Sequence, residues 1–355
     1  MNRVVLKAQD LDGYLTEKDK KNIREMNEVY NKALAKFDNL NESTDRATLI
    51  HENAELIEIY NTLGKRMQAI TSEEPRIHVY SFETPHTIHG EASRLIAKLR
   101  DVETQHQEFV YYTQRAYELL FNLSVDSTNT NKKNYLFVKT PVNIPLQNYA
   151  VHKIPNVDEE IDDSVMCVML RGALLPSMIM SKEIQEYSSN GYVTPFALFK
   201  ISRDDSKQEH NMEYILDLDR SYFNLEMLDG KNLIFADPMN ATGGSLVTIV
   251  KYLREKGIRP KTIRFFNVIS ALKGTLRIIR AIDNVIVYTL WMDPVLNDIA
   301  YILPGLGDAG DRINGTDRED HPRNIIQLIA DYGANISALY RSQIRKIEET
   351  ALISR

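Results

Sequence analysis

Cysteine is almost missing from this 355-residue chain. Cys167 stands alone, so no internal disulfide can form and no cysteine-rich zinc site can be built. A reducing, intracellular setting is the expectation for such a sequence. A basic excess is missing too: 43 Lys and Arg stand against 49 Asp and Glu, a net charge of −6. That balance argues against a protein that coats nucleic acid or a membrane surface, although it still allows a local basic patch. No apolar run is long enough to cross a bilayer, since the most apolar window, Ser164 to Met180, contains Arg171 and Pro176. The opening Met1-Asn2-Arg3-Val4-Val5-Leu6-Lys7 lacks the apolar stretch of a secretory leader. Repeats and low-complexity tracts are absent as well, and a cytoplasmic location is expected.

What is present is an ordinary globular composition, 43% hydrophobic and 26% charged, in a length that suits two units or one large domain with extensions. From Thr16 to Gly64 the apolar residues recur every three or four positions, as in Ile23, Met26, Tyr30, Ala33, Leu34 and Phe37, then Leu49, Leu56, Tyr60 and Leu63. The spacing predicts a helix pair, or one interrupted helix, re-opened by Ser43-Thr44-Asp45 and stopped by Gly64. A further helix is predicted over Glu91–Leu123, followed by a polar loop from Asp126 to Lys133. From about residue 135 short apolar runs alternate with helical stretches. Strands are predicted at Val165–Leu170, Thr194–Ile201, Asn232–Ala236, Ile263–Ile269 and Val285–Leu290, and helices after Pro176, over Leu246–Lys256 and over Ser270–Ile282. Continuous apolar strands separated by helices indicate an α/β fold, an open and mostly parallel sheet covered on both faces. Pro322 to Arg355 is helical in pattern, with Ile325, Ile329, Ile336, Leu339 or Tyr340, and Ile347 as its apolar positions.

Two segments carry chemistry. In Leu233-Ile234-Phe235-Ala236-Asp237-Pro238-Met239-Asn240-Ala241-Thr242-Gly243-Gly244-Ser245 an apolar strand ends in an acid, and a loop of small residues opens a helix. The amides of Ala241 to Ser245 can converge on one anion at the positive end of that helix. Gly243 and Gly244 permit close backbone approach, and the hydroxyls of Thr242 and Ser245 add donors. This arrangement suits a phosphate monoester, and Asp237 can accept from the vicinal hydroxyls of a sugar carrying it. From the glycine pair alone, a plain strand–turn–helix with a capped start is an equally good reading. The second segment, Tyr301-Ile302-Leu303-Pro304-Gly305-Leu306-Gly307-Asp308-Ala309-Gly310-Asp311-Arg312, is a tight loop whose exposed amides and carbonyls can read a flat base, or else a glycine-rich surface turn. Elsewhere, His86 and His89 have a spacing that can bind metal but lack a clustered third ligand, so a capping or solvent role is the better reading.

The thirteen-residue string closely resembles the phosphoribosyl-pyrophosphate (PRPP) motif of type I phosphoribosyltransferases, and its Asp-Pro-Met form resembles the uracil phosphoribosyltransferase family in particular. The Tyr301–Arg312 string resembles the uracil-binding loop of that family almost residue for residue, and weaker similarity runs from about His86 to Thr316. The resemblance implies that the chain transfers a phosphoribosyl group from PRPP to uracil, with N1 of the base displacing pyrophosphate to give UMP. It implies catalytic roles for Asp237, Arg171 and Asp308. It places PRPP against Arg100, Arg171, Asp237, Pro238, Met239, Ala241, Thr242, Gly243, Gly244 and Ser245, and uracil against Tyr301, Ile302, Gly307 and Asp308. Mg²⁺ is implied as cofactor, held through PRPP and water, with Asp308 the nearest candidate side chain.

The chain also departs from the family pattern. Where the family's pyrophosphate loop reads Arg-Ala-Gly-Leu, this chain reads Arg171-Gly172-Ala173-Leu174-Leu175-Pro176, and Pro176 removes an amide donor. After Tyr214, where the family has Lys-Leu-Pro, the chain has Asp217-Leu218-Asp219, an acid expected near the phosphates. The expected organisation is a helical N-terminal extension over 1–85, a family-like domain over 86–320 and a helical C-terminal extension over 321–355. The extensions suit a homo-oligomer interface, or the docking of a protein or nucleic-acid partner; no membrane partner is expected. Together with the altered loop they leave open an alternative, a PRPP- or nucleotide-binding regulatory or effector protein with weak or no catalysis.

Overall fold

The structure is a computed structural model and describes residues 2–42, 45–83, 86–128, 133–141, 149–315 and, near the C-terminus, 327, 330–334, 337–338 and 341. Strand β1 (Arg3–Lys7) and the short α1 (Ala8–Asp12) lead into two long helices, α2 (Glu17–Glu42) and α3 (Arg46–Thr71). Next come β2 (Ile77–Val79), α4 (Tyr80–Glu83), α5 (His86–Arg100), α6 (His106–Thr128) and a two-stranded ribbon of β3 (Lys133–Lys139) and β4 (Tyr149–Pro155). The alternating region holds α7 (Asp158–Ile161), β5 (Ser164–Leu170), α8 (Leu174–Tyr187), β6 (Phe196–Arg203), β7 (Glu213–Tyr222), β8 (Asn232–Ala236), β9 (Met239–Asn240) and α9 (Gly244–Glu255). It continues through β10 (Thr262–Ala271), α10 (Leu272–Ala281), β11 (Val285–Asp293), the hairpin β12 (Val295–Leu296) and β13 (Ile302–Leu303), and α11 (Ala309–Asn314).

Nine strands form one sheet in the order β1-β7-β6-β5-β8-β10-β11-β2, with β9 beside β10. From β6 to β2 every neighbouring pair is parallel, whereas β7 and β1 are antiparallel additions at one edge. The reason lies in the sequence: β8 is buried at all five positions and β5 at its first six, so both faces must be covered. This is the expected α/β architecture. Its parallel strands point their carboxyl ends at one rim, where Leu170, Ala236 and Asp293 end β5, β8 and β11.

Both edges of the sheet come from the first 85 residues. β1 pairs with β7, Val5 opposite Ile215, and β2 pairs with β11, Ile77 opposite Val287. That stretch is therefore not helical throughout, and its strands are continuous with the sheet. Periodicity missed both strands because five and three residues are too few to establish a pattern.

The helix pair is present and antiparallel, with Arg66 reaching Glu25 and Lys36 reaching Glu52. Asp45 caps α3 by accepting from the Thr48 amide at 2.9 Å. Gly64 does not stop that helix, which runs to Thr71; a glycine inside a helix with no competing terminator costs only about 1 kcal/mol. The stretch expected as one helix over Glu91–Leu123 is two, broken at 101–105. There the Asp101 carboxylate accepts from the Glu103 amide at 3.0 Å and the Thr104 hydroxyl donates to the Lys98 carbonyl at 2.7 Å. Asp126 to Thr128 belong to α6 rather than to the polar loop. In the C-terminal region residues 327, 330–334, 337–338 and 341 are helical, while the apolar positions expected there lie outside the described residues. Cys167 is buried in β5, where burial pushes its thiol pKa up. No helix among the described residues is long and apolar enough to cross a membrane.

Candidate active site

The phosphate-type loop leaves β8 at the carboxyl rim. Gly243 has φ +76°, and a Cβ there would meet the Gly274 carbonyl oxygen at 2.7 Å. A Cβ on Gly244, the first residue of α9, would lie 2.2 Å from the Tyr214 ring, so that ring packs directly against the helix start. Behind the loop runs a buried polar chain that sequence reasoning missed. Asn267 donates to the Asp237 carbonyl at 2.9 Å, Ser270 donates to Asn267 at 3.2 Å, and Asn240 donates to Ser270 at 3.2 Å and Thr275 at 3.4 Å. All four side chains are buried, and a satisfied buried network of this kind fixes backbone position. The loop is thus held from behind while Ala241 to Ser245 line the cleft.

Asp237 sits just past β8. Burial raises its carboxyl pKa to about 7; the Met239 N–H, 3.2 Å away, opposes the rise and the nearby Asp308 charge adds to it.

The second loop is built on the β12–β13 hairpin. The Asn297 side chain accepts from the Tyr301 amide at 2.8 Å, which closes the turn through Ala300, itself at φ +64°. The Asp308 Oδ1 accepts from the Asp311 amide at 2.9 Å and caps the short α11. Arg312 donates to the Leu306 carbonyl at 2.9 Å and the Asp101 carbonyl at 3.0 Å, and also to the Leu99 carbonyl, so the loop is bolted to the end of α5.

Both loops face one cleft of about 290 Å³. Of the expected residues, Arg171, Asp237, Met239, Ala241, Thr242, Gly243, Gly244 and Ser245 line it together with Tyr301, Ile302, Gly307 and Asp308. Pro238 is buried behind the wall, where its carbonyl accepts from Ile269. Arg100 is elsewhere: it pairs at 2.6 Å with the buried Asp293 and borders a different cavity, because a carboxylate fixed at the end of β11 captures it. Asp217 also lies off the cleft, at the β1 edge 4.0 Å from Arg220, so the expected acid near the phosphates is not there. Arg171 reaches the cleft already engaged, with one Nη donating to the Gly315 carbonyl at 2.8 Å and the other paired with Asp311.

Arg203 is a cleft cation absent from the expected site. Its guanidinium lies 4.9 Å from the Tyr301 ring centroid, and its Nε is 2.6 Å from Asp205. The weaker family similarity that runs from about His86 to Thr316 was the only available signal. His89, read as a capping or solvent residue, contacts the Ser81 carbonyl at 3.0 Å, while the His86 side chain lies outside what is described. Among the described residues no three His, Cys, Asp or Glu groups converge on a metal position.

Comparison with known proteins gives a consistent result. The uracil phosphoribosyltransferase family model matches residues 87–316. A curated relative, the uracil phosphoribosyltransferase of Dictyoglomus thermophilum, is 32% identical over 221 residues, covering 62% of this chain and 93% of that protein. The uracil phosphoribosyltransferase of Campylobacter concisus is 49% identical over 83 residues, 23% of this chain and 39% of that one. Among solved structures, the AQ2163 protein from Aquifex aeolicus aligns over 68% of this chain and 98% of its own at 21% identity and a TM-score of 0.46. With nearly two-thirds of its length matched by the family model, the chain belongs to the uracil phosphoribosyltransferase family.

Proposed function

We propose that the protein transfers the phosphoribosyl group of PRPP to N1 of uracil, releasing pyrophosphate and forming UMP. The observation that carries this reading is that both loops line a single cleft, one suited to a phosphorylated sugar and the other to a flat base. Amides from Ala241 to Ser245 and the start of α9 take the 5-phosphate, with the Thr242 and Ser245 hydroxyls as further donors. Asp237 accepts from the ribose hydroxyls. The Ile302 carbonyl and Gly307 amide bond the base edge, with Tyr301 beside it. The C1–O bond to pyrophosphate breaks as the N1–C1 bond forms, and positive charge builds on the ribose as in glycoside cleavage. Asp308 has one oxygen committed to capping and offers the other to the N1 proton. Arg171 meets the departing pyrophosphate, and Arg203 adds positive charge beside the base loop.

Three carboxylates, Asp205, Asp237 and Asp308, line the cleft without converging on one metal position, and Asp205 is taken up by Arg203, a donor set that fits Mg²⁺ held mainly by substrate oxygens and water. When bound, the ion neutralises charge on pyrophosphate. A homo-oligomer is part of the reading: the β3–β4 ribbon exposes Phe137 at 72% and Tyr149 at 66%, apolar surface that a second copy would cover. In domain terms, a family-like unit over 86–320 is joined by additions over 1–85, whose β1 and β2 complete its sheet, and over 321–355. The long helices α2 and α3 of the first addition are the part offered to a protein or nucleic-acid partner.

A second reading is a PRPP- or nucleotide-binding regulatory protein with weak turnover. The specific observation in its favour is Arg171, whose guanidinium is occupied by Asp311 and Gly315. Incubation with PRPP, Mg²⁺ and labelled uracil separates the two. UMP formation supports transfer, and PRPP binding without UMP supports the regulatory reading.

A further inference from the structure

The family resemblance sent Arg100 to the PRPP site, and the structure puts it elsewhere with a partner of its own. Asp293 closes β11 and is only 2% exposed. Its Oδ1 accepts from Arg100 Nη2 at 2.6 Å, and its Oδ2 accepts from the Gly305 amide at 2.9 Å. One buried carboxylate therefore joins the end of α5 to the middle of the base loop.

Gly305 is where that loop is tightest. Its φ is +62°, and a Cβ there would lie 2.3 Å from the Ile302 carbonyl oxygen. Ile302 and Gly307, which supply the base-reading carbonyl and amide, lie three residues before it and two after it. A small rotation about Gly305 changes the separation and direction of both groups. The Gly305 amide donates to the Asp293 carboxylate, and a charge-assisted bond of this kind is stronger and more directional than a neutral one. Burial pushes the Asp293 carboxyl pKa up, and the Arg100 guanidinium and the Gly305 amide oppose that rise; an unpaired buried charge would be strongly unfavourable.

We propose that Asp293, held by Arg100, is the positioning residue that sets the spacing of the Ile302 carbonyl and Gly307 amide for the acceptor base, an inference that rests on the reading of this loop as the base site. Asp293 touches no substrate and acts through Gly305. Its loss therefore weakens recognition of the base and leaves the phosphate loop, which stands on the separate Asn240–Asn267–Ser270 network, unaffected.

The test uses Asp293→Asn and Arg100→Lys in the full chain. Asparagine keeps the size of the side chain but points an NH₂ at one of two donors, the Gly305 amide or the Arg100 guanidinium. The expected result is a rise in KM for uracil of about 10-fold or more, with KM for PRPP changed by less than about twofold. Lysine keeps the charge but loses the planar fork, so Arg100→Lys should give a smaller rise in the same constant. Equal changes in the two KM values, or none in either, would overturn the proposal. Trp291, the only tryptophan, has its ring centroid 6.0 Å from the Arg100 guanidinium and reports the folded state by its emission. Should Asp293→Asn show the red-shifted emission of an unfolded chain, Arg100→Lys carries the test with the same two constants. Calorimetry on the wild-type protein separates the two claims. Binding of PRPP without any binding of uracil sinks the base-loop reading and the proposal with it. Binding of both, undisturbed by either substitution, sinks the positioning role alone.

Discussion

Replacing Asp237 by asparagine sets function against stability. The carboxyl pKa is about 7 in the folded protein, against an ordinary value near 4, because burial disfavours its charged form. A folded-state pKa raised in this way gives stability that is fully present below about pH 4 and is lost as pH climbs to about 7. Three units correspond to about 4 kcal/mol, an upper figure because the side chain lies on the cleft wall and the Met239 N–H already stabilises the charge. Asparagine fills the same space and never charges. Asp237→Asn should therefore match the wild type in stability near pH 4.5 and exceed it by about 2–4 kcal/mol at pH 8. Urea unfolding at those two pH values measures the difference. Transfer should fall by about 100-fold or more, since the amide is a weaker acceptor for the ribose hydroxyls and adds a donor where they need none. In the wild type, KM for PRPP should drop as pH rises from about 6 to 8 and Asp237 ionises, a slope the asparagine variant lacks. A stability difference that is the same at both pH values would refute the assignment of the raised pKa to this residue.

Three further outcomes follow from the same geometry. Gly274→Ala places a Cβ 2.2 Å from the Ala241 carbonyl oxygen, so the phosphate loop must shift; stability should fall by about 1–3 kcal/mol and KM for PRPP should rise, read by thermal melting and steady-state rates. Asp12→Ala removes a carboxylate 2.6 Å from the fully buried Arg277; Glu209 remains 2.9 Å away, so a loss of about 2 kcal/mol in denaturant unfolding is expected rather than collapse. Arg171→Ala should weaken product inhibition by pyrophosphate by about tenfold while leaving ribose-5-phosphate binding unchanged, because in the proposed mechanism this cleft-lining arginine meets the departing pyrophosphate.

The two loops of the candidate cleft were readable because each is one contiguous string. Asp237 to Ser245 is one loop and Tyr301 to Asp308 another, and a strand-loop-helix of small residues has few conformations to choose from. The alternating apolar runs likewise fixed the parallel strands to within two or three residues. What escaped is set by pairings across long stretches of chain. Arg100 finds Asp293 at a separation of 193 residues, and Arg277 finds Asp12 at 265. No local pattern records either choice. The two edge strands escaped for a related reason: Arg3–Lys7 is a strand only because Glu213–Tyr222 offers an open edge. The Asn240, Asn267, Ser270 and Thr275 network reads in sequence as scattered polar residues, and it acquires meaning only when β10 and α10 fold behind the phosphate loop.

The central claim is that the two loops lining one cleft are the donor and acceptor halves of a transfer site. Purified protein incubated with PRPP, Mg²⁺ and labelled uracil tests it most directly. The account predicts labelled UMP and stoichiometric pyrophosphate from the wild type, and at least a 100-fold smaller yield from Asp237→Asn. Tight PRPP binding with no UMP at any uracil concentration would contradict it.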